Sequence, residues 1–376
     1  MTGVPSALPP AADAAAAGAV LLDEMRAEFK RYTVQQTEHH YVALALYALY
    51  THLSGAFRYA PRLVVTSAEK QSGKTRTLDI LRELVSTPEV AANTTVASLF
   101  LAVMEDEEHP PTIILDEADT VFGTKVKAEQ NEELRGFLNC GFQSGTPFTR
   151  ANWVTKKRER YSTFAPAVLA AIGTLPETIV DRAVVIRLRR RRPGDSVERY
   201  RLRQAGALHA LRERAGVWAE GVRARAHEYV PDTNLEDRPA DVWEPLLTVA
   251  DFAGGHWPQT ARTAAAYLVA EGAGAAAEVT EGIELLTDLR GVLRMLRGER
   301  LSSSALLEYL RSIEASRWKD GDLTARRLSD LLKVYGIRPK RSNSQRYYLR
   351  AEIEAEIERY ALPDAEADTG RDGAEV

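Results

Sequence analysis

The stretch Ala68-Glu69-Lys70-Gln71-Ser72-Gly73-Lys74-Thr75 sets a lysine and a hydroxyl behind a small, polar turn. It follows the β-rich run Leu63-Val64-Val65-Thr66 and opens a helical pattern from Thr75 to Val85. A strand, a glycine-containing turn and a helix in that order make a cradle for phosphate. Backbone N–H groups of the turn and of the helix N-terminus would face the anion. Lys74 would reach the β- and γ-phosphates of a bound ATP, Thr75 would set its hydroxyl on Mg²⁺, and Arg76 completes the nucleotide-facing run. Ala68 stands where such loops carry their first glycine, and it loses easy access to positive φ. A Gly-Lys-Thr sequence without that role is the alternative.

About forty residues on, Ile113-Ile114-Leu115-Asp116-Glu117 reads as a buried strand ending in two acids. Asp116 would hold Mg²⁺ through water, and Glu117 would orient and deprotonate an attacking water. The plainer reading makes Asp116 a helix cap. Gly173-Thr174-Leu175-Pro176 then puts Thr174 at the end of a fourth strand, within reach of a γ-phosphate. Asp181-Arg182 precedes a last strand. Arg182 either pairs with Asp181 or neutralises charge on a neighbouring subunit's transferred phosphoryl group. Arg238, in Asp237-Arg238-Pro239-Ala240-Asp241, either reaches the nucleotide from a lid or pairs with Asp241.

These groups need a frame. Short apolar runs at 63–66, 90–95, 112–115, 168–172 and 183–188 alternate with helical patterns at 75–85, 96–107 and 128–142. That alternation predicts an α/β fold: a parallel five-stranded P-loop sheet with helices on both faces. A strand and a helix fit between the phosphate turn and the acid pair, which marks the class with an extra strand between those two motifs. The expected order is a flexible leader over 1–20, an ATPase core over 21–195 and a helical lid over 196–275 broken at Pro231 and Arg238-Pro239. A Gly/Ala-rich linker at 271–277 precedes a winged-helix domain over 280–360, and an acidic disordered tail covers 361–376. The winged helix is read from helices at 283–296, 303–312 and 325–335, the last capped by Thr324, then two strands around Ser342-Asn343-Ser344.

The chain has 376 residues, 45% hydrophobic and 27% charged, an ordinary globular balance. No apolar run reaches the roughly 18 residues of a membrane span, and no basic segment precedes an apolar one at the N-terminus. Its one cysteine, Cys140, can form neither an internal disulfide nor a cysteine-based zinc site. A reducing, cytoplasmic setting is expected. The net charge of −4 hides clusters: the tail from Ala361 holds five acids and one base, and 333–350 holds six bases and no acid. Arg326, Arg327 and Lys333 on the third helix, with Arg338, Lys340, Arg341 and Arg346 on the hairpin, make a candidate grip on DNA phosphates, single- or double-stranded. A winged helix used for protein contact is the alternative. Tyr347 and Tyr348 read as one core and one surface residue.

At Gln71–Thr75, Leu115–Asp119, Leu138–Phe142, Gly173–Pro176 with Asp181-Arg182, and Arg238–Leu246, the sequence resembles AAA+ P-loop ATPases. More narrowly, it resembles the actinobacterial, phage and plasmid family catalogued as domain of unknown function 3631. The resemblance covers most of Ala43 to Tyr360. It implies ATP and Mg²⁺ as cofactors, assembly of identical copies into a ring or arc such as a hexamer, and work on DNA beside a primase or other replication partner. The function expected is a helicase-like motor in replication or maintenance of a mobile element. The alternatives are an ATP-switched initiator or loader without unwinding, and a signalling or defence ATPase whose winged helix binds protein.

Overall fold

The structure, a computed structural model, describes residues 12–67, 71–91, 96–122, 131–152, 156–173, 175–192, 194–313, 318, 323–342 and 345–360. The acidic tail, Ala68 to Lys70, Thr174 and the hairpin residues Asn343 and Ser344 lie outside them. The chain divides into two units, Met1–Ala270 and Glu271–Val376.

The first unit opens with α1 (Ala12–Tyr32) and α2 (Glu38–Thr51). Helix therefore starts inside the stretch expected to be a flexible leader. The alanine run favours helix intrinsically, and Leu21, Leu22, Met25 and Phe29 on one face bury completely or nearly so. α2 is buried from Val42 to Thr51, as an apolar surround requires. Five strands form the parallel sheet: β1 (Arg62–Ser67), β2 (Pro88–Val90), β3 (Thr112–Leu115), β6 (Ala167–Ile172) and β7 (Ala183–Leu188), in the order β2-β3-β6-β1-β7. Between them lie α3 (Lys74–Leu84), α4 (Val96–Glu105), α5 (Ala118–Phe122), α6 (Glu132–Cys140) and α7 (Glu177–Val180).

The two-residue period of the strands divides their side chains between two cores. Leu63, Val65, Ile114, Val168, Ala170, Val184 and Ile186 join the core built with α1, α2 and α3. Val64, Ile113, Leu115, Ala167, Leu169 and Ala171 join the opposite core with α4, α5 and α6. The hairpin of β4 (Phe148–Asn152) and β5 (Lys157–Tyr161) stands apart from the sheet and had no counterpart in the sequence reading. Phe148 and Tyr161 tie its base to Phe100 of α4, with ring centroids 5.1 and 5.3 Å away. Its strands are polar, so they lack the apolar alternation by which a strand is recognised.

α8 (Ala205–Glu228) and α9 (Asp237–Ala253) follow. Leu208, Leu211, Trp218, Val222, Trp243 and Leu246 bury in the core of α1, α2 and α3. The stretch expected as a separate lid is thus part of the first unit up to Ala270. Pro239 opens α9 instead of breaking it, because a first-turn residue has no intrahelical use for its N–H. α10 (Trp257–Met295) runs without interruption through the expected linker at 271–277. Alanine there outweighs Gly272 and Gly274, each worth about 1 kcal/mol against helix. The boundary between units still falls at that place.

The second unit takes the end of α10, β8 (Arg300–Ser302), α11 (Ser303–Ser312), α12 (Ala325–Val334), β9 (Lys340–Arg341), β10 (Arg346–Leu349) and α13 (Arg350–Tyr360). Its three strands pair antiparallel in the order β8-β10-β9. Thr324 caps α12, accepting the Arg327 N–H at 3.1 Å. Leu286, Leu289, Leu306, Leu310, Leu328, Leu332, Tyr348 and Ile353 make its core. Tyr348 is fully buried and Tyr347 is not.

Candidate functional site

Parallel strands end together, and β1 ends between β6 and β7: Ser67 is level with Ile172 on one side and Leu188 on the other. Just before α3 the backbone is twice left-handed. Gln71 has φ 61° and Gly73 φ 94°. A Cβ on Gly73 would meet nothing within 4 Å, so it is the left-handed backbone, not crowding, that favours glycine there. Lys74 opens α3, folds back over the turn and donates to Ser67 Oγ at 2.5 Å and Ser72 Oγ at 3.4 Å. Partial burial lowers its pKa, and the nearby Asp119 and Asp116 carboxylates oppose that shift. Thr75, next on the helix, is exposed.

Asp116 and Glu117 follow the last residue of β3. Asp116 Oδ1 accepts the Glu117 N–H at 2.8 Å. Glu117 is exposed and has φ 55°, a conformation that costs a non-glycine residue about 1–3 kcal/mol and gathers at functional sites. Asp119 Oδ1 accepts the N–H of Ile172 at 2.9 Å and so ties α5 to the end of β6. Thr66 Oγ1 donates to the Gly173 carbonyl at 2.6 Å and ties Gly173 to β1. Lys74 and Asp116, the residue before Glu117, thus come together at one end of the sheet, with Ser67 and Asp119 added. Sequence reasoning had named neither as a site residue, though both lie within two residues of a motif.

A lysine between hydroxyls at a helix N-terminus, beside a carboxylate pair, can hold a polyphosphate and orient a water. Hard oxygen ligands such as Thr75 and Asp116 suit Mg²⁺ shared with phosphate. Among the described residues no group of three or more His, Cys, Asp or Glu is placed to hold a metal by itself.

Arg182 and Arg238 are elsewhere. The Arg62 N–H donates to the Arg182 carbonyl at 2.8 Å, so Arg182 sits at the first residue of β1, roughly 17 Å of strand from Ser67. Its guanidinium donates to the Thr178 carbonyl at 2.7 Å and lies 3.9 Å from Asp181. Arg238 belongs to the same edge. It pairs with Asp241 at 2.9 Å and with Asp181 at 3.4 Å. Both guanidiniums lie over the Phe142 ring, 5.8 and 5.3 Å from its centroid. Of the two roles the sequence left open for Arg238, the pair with Asp241 is the one observed: α9 packs into the core and carries it to the far end of β1.

Beneath this edge, Arg62 is 2% exposed and donates to the carbonyls of Ala60, Ala165 and Leu138 at 2.9, 2.5 and 2.5 Å. Burial lowers its pKa to about 10, still protonated at neutral pH. Three of the sequence segments with family resemblance, around Phe142, Arg182 and Arg238, converge here.

In the second unit Arg326, Lys333, Arg338, Lys340, Arg341 and Arg346 are exposed. Arg327 is half-buried and bound to Glu281 at 2.5 Å, and Lys340 to Glu352 at 2.7 Å. Arg300 of β8 adds a base that the sequence reading missed, 5.2 Å over the Tyr347 ring.

A protein of Saccharopolyspora erythraea described as "Uncharacterized 28.9 kDa protein in xis 5'region" is 42% identical over 158 residues, covering 40% of this chain and 58% of that relative. The chain thus spans less than two thirds of that relative's length. Two structures of the NrS-1 C-terminal region overlap broadly but loosely. One is 12% identical with a TM-score of 0.31, covering 93% of this chain and 78% of that one. The other is 11% identical with a TM-score of 0.29, covering 88% and 74%. No helix among the described residues is long and apolar enough to cross a membrane. From the last strand of the sheet to the end of α13, residues 187–360, the chain matches the family described as "Protein of unknown function (DUF3631)".

Proposed function

We propose that the chain is an ATP-hydrolysing protein of AAA+ type that assembles on DNA. The observation that carries this reading is the meeting of Lys74 with Asp116, the residue before Glu117, at the carboxyl end of a parallel sheet, with β6 between their strands. In this reading Lys74 and the N-terminus of α3 bind the phosphates, and Asp116 with Thr75 holds Mg²⁺, which adds positive charge beside the phosphates. Glu117 takes the proton of the attacking water, and Thr174 touches the γ-phosphate. Ala68, Glu69, Lys70, Gln71, Ser72 and Gly73 supply the turn.

Arg182 faces away from its own phosphate site, so it acts on the site of a neighbouring copy. Arg182→Ala protein should bind ATP normally and lose hydrolysis, whereas Lys74→Ala protein should lose nucleotide binding. Mixing the two should restore part of the activity, since each supplies the half-site the other lacks. Steady-state hydrolysis across mixing ratios reads this, and a monomeric protein fully active as Arg182→Ala would contradict it.

The strand and helix order of the second unit, with its antiparallel β8-β10-β9 sheet, supports a winged helix with Arg338, Lys340, Arg341 and Arg346 on its hairpin and Arg326 and Lys333 on its third helix. These bases would contact phosphates, not base edges. Reversing charge at Lys340, Arg341 and Arg346 should weaken binding to all DNA sequences alike and flatten the log–log salt dependence by about 0.7–0.9 per lost contact. Fluorescence anisotropy over a salt series measures both, and unchanged affinity would move the site elsewhere. A helicase-like role for a mobile element is the form of DNA work we favour, since the 42% identical relative is described by its place in a xis 5' region. Unwinding of a forked duplex tests it against an initiator that only assembles.

A further inference from the structure

We propose that the loop between α1 and α2, through Gln35 and Gln36, reads the base of the bound nucleotide and selects adenine over guanine. The proposal rests on the phosphate reading above and adds to it the recognition of the base.

The hydrogen bonds fix how both amides point. Gln35 is 7% exposed. Its Nε2 lies 3.2 Å from Thr33 Oγ1 and 3.4 Å from Thr77 Oγ1. Each threonine hydroxyl already donates its one proton to a carbonyl: Thr33 to Phe29 at 2.6 Å, Thr77 to Gly73 at 3.2 Å. Both must therefore accept from Gln35, which assigns the NH₂ to them and leaves Oε1 as the other end. That buried Oε1 has no hydrogen-bond partner. Gln36 Nε2 donates to the Arg187 carbonyl at 2.5 Å. A carbonyl can only accept, so the Gln36 amide is fixed in the same sense. Two adjacent side chains thus hold acceptor oxygens, one of them buried without a donor.

The position follows from the strand order. Asp116 and Glu117 lie beyond β6, on one side of β1. A triphosphate with its terminal group toward them leads its nucleoside to the other side, where β7 ends. Gln36 is anchored there, since Arg187 of β7 is level with Thr66 of β1. Gln35 touches Thr77, one helical turn from Lys74. Adenine offers a 6-amino donor to such oxygens, whereas guanine presents an acceptor at the same ring position. Gln36 is half-buried and can be met first, while Gln35 is roofed over and requires the loop to yield.

The test is displacement of a fluorescent ATP analogue by ATP, GTP and inorganic tripolyphosphate, in the full chain and in Gln35→Met, Gln36→Leu and the double variant. The unmodified chain should prefer ATP to GTP by about tenfold or more. Each single variant should lose about 3–10-fold in ATP affinity, the range for one neutral hydrogen bond, with GTP and tripolyphosphate little changed. Unchanged tripolyphosphate binding also shows that the variants fold. If the unmodified chain binds ATP and GTP alike, or all variants keep its ratio, the base reading falls and the phosphate reading stands. If neither nucleotides nor tripolyphosphate bind, both fall.

Discussion

Glu117→Gln protein should hold ATP as tightly as the unmodified chain and hydrolyse it about 10²–10⁴ times more slowly, the usual contribution of a positioned general base. The amide keeps the shape and the left-handed backbone at φ 55° but cannot accept a proton. Binding survives because the phosphate contacts come from Lys74 and the turn. Single-turnover hydrolysis beside equilibrium binding separates the two effects. Undiminished turnover would remove Glu117 from the chemistry and leave the carboxylate pair as a structural cap.

The second large effect concerns stability. A Cβ on Gly141 would stand 2.0 Å from the Thr163 carbonyl oxygen and 3.0 Å from Arg62 Nη2. The first neighbour is backbone and the second is held by three carbonyls, so neither can retreat easily. Gly141→Ala should cost about 1–3 kcal/mol or more and lower the Tm by about 2–12 °C. Gly206→Ala is the contrast: it lies in α8 with open space around it, and should be neutral or slightly stabilising. Calorimetry of the two proteins decides, and equal melting would mean that the Gly141 turn can relax outward.

The alternating region was legible in the sequence because buried parallel strands are short unbroken apolar runs. β1, β3, β6 and β7 were expected within a residue or two. The β4–β5 hairpin was not, since Lys157-Arg158-Glu159-Arg160 carries no apolar period. α8 and α9 were recognised as helices, but whether they roof the nucleotide or fill the core depends on what their apolar faces meet. That is a tertiary question which periodicity cannot answer. For this reason the sequence left Arg238 between the nucleotide and Asp241, and the pair with Asp241 is the one observed. That Lys74 and Asp116 share one end of the sheet was legible because each follows a parallel strand. The Gln35 amide was not, because it depends on Thr77, 42 residues away.

β1 spans only Arg62 to Ser67, yet its two ends serve different sites. Ser67 receives Lys74, and Arg62 holds the carbonyl of Arg182. A strand paired on both sides cannot bend to keep these events apart. If copies assemble through Arg182, hydrolysis and protomer concentration become linked variables. Dilution should slow hydrolysis per protomer and leave ATP binding as it was, because the arginine acts on the transferred phosphoryl group and not on the bound ground state.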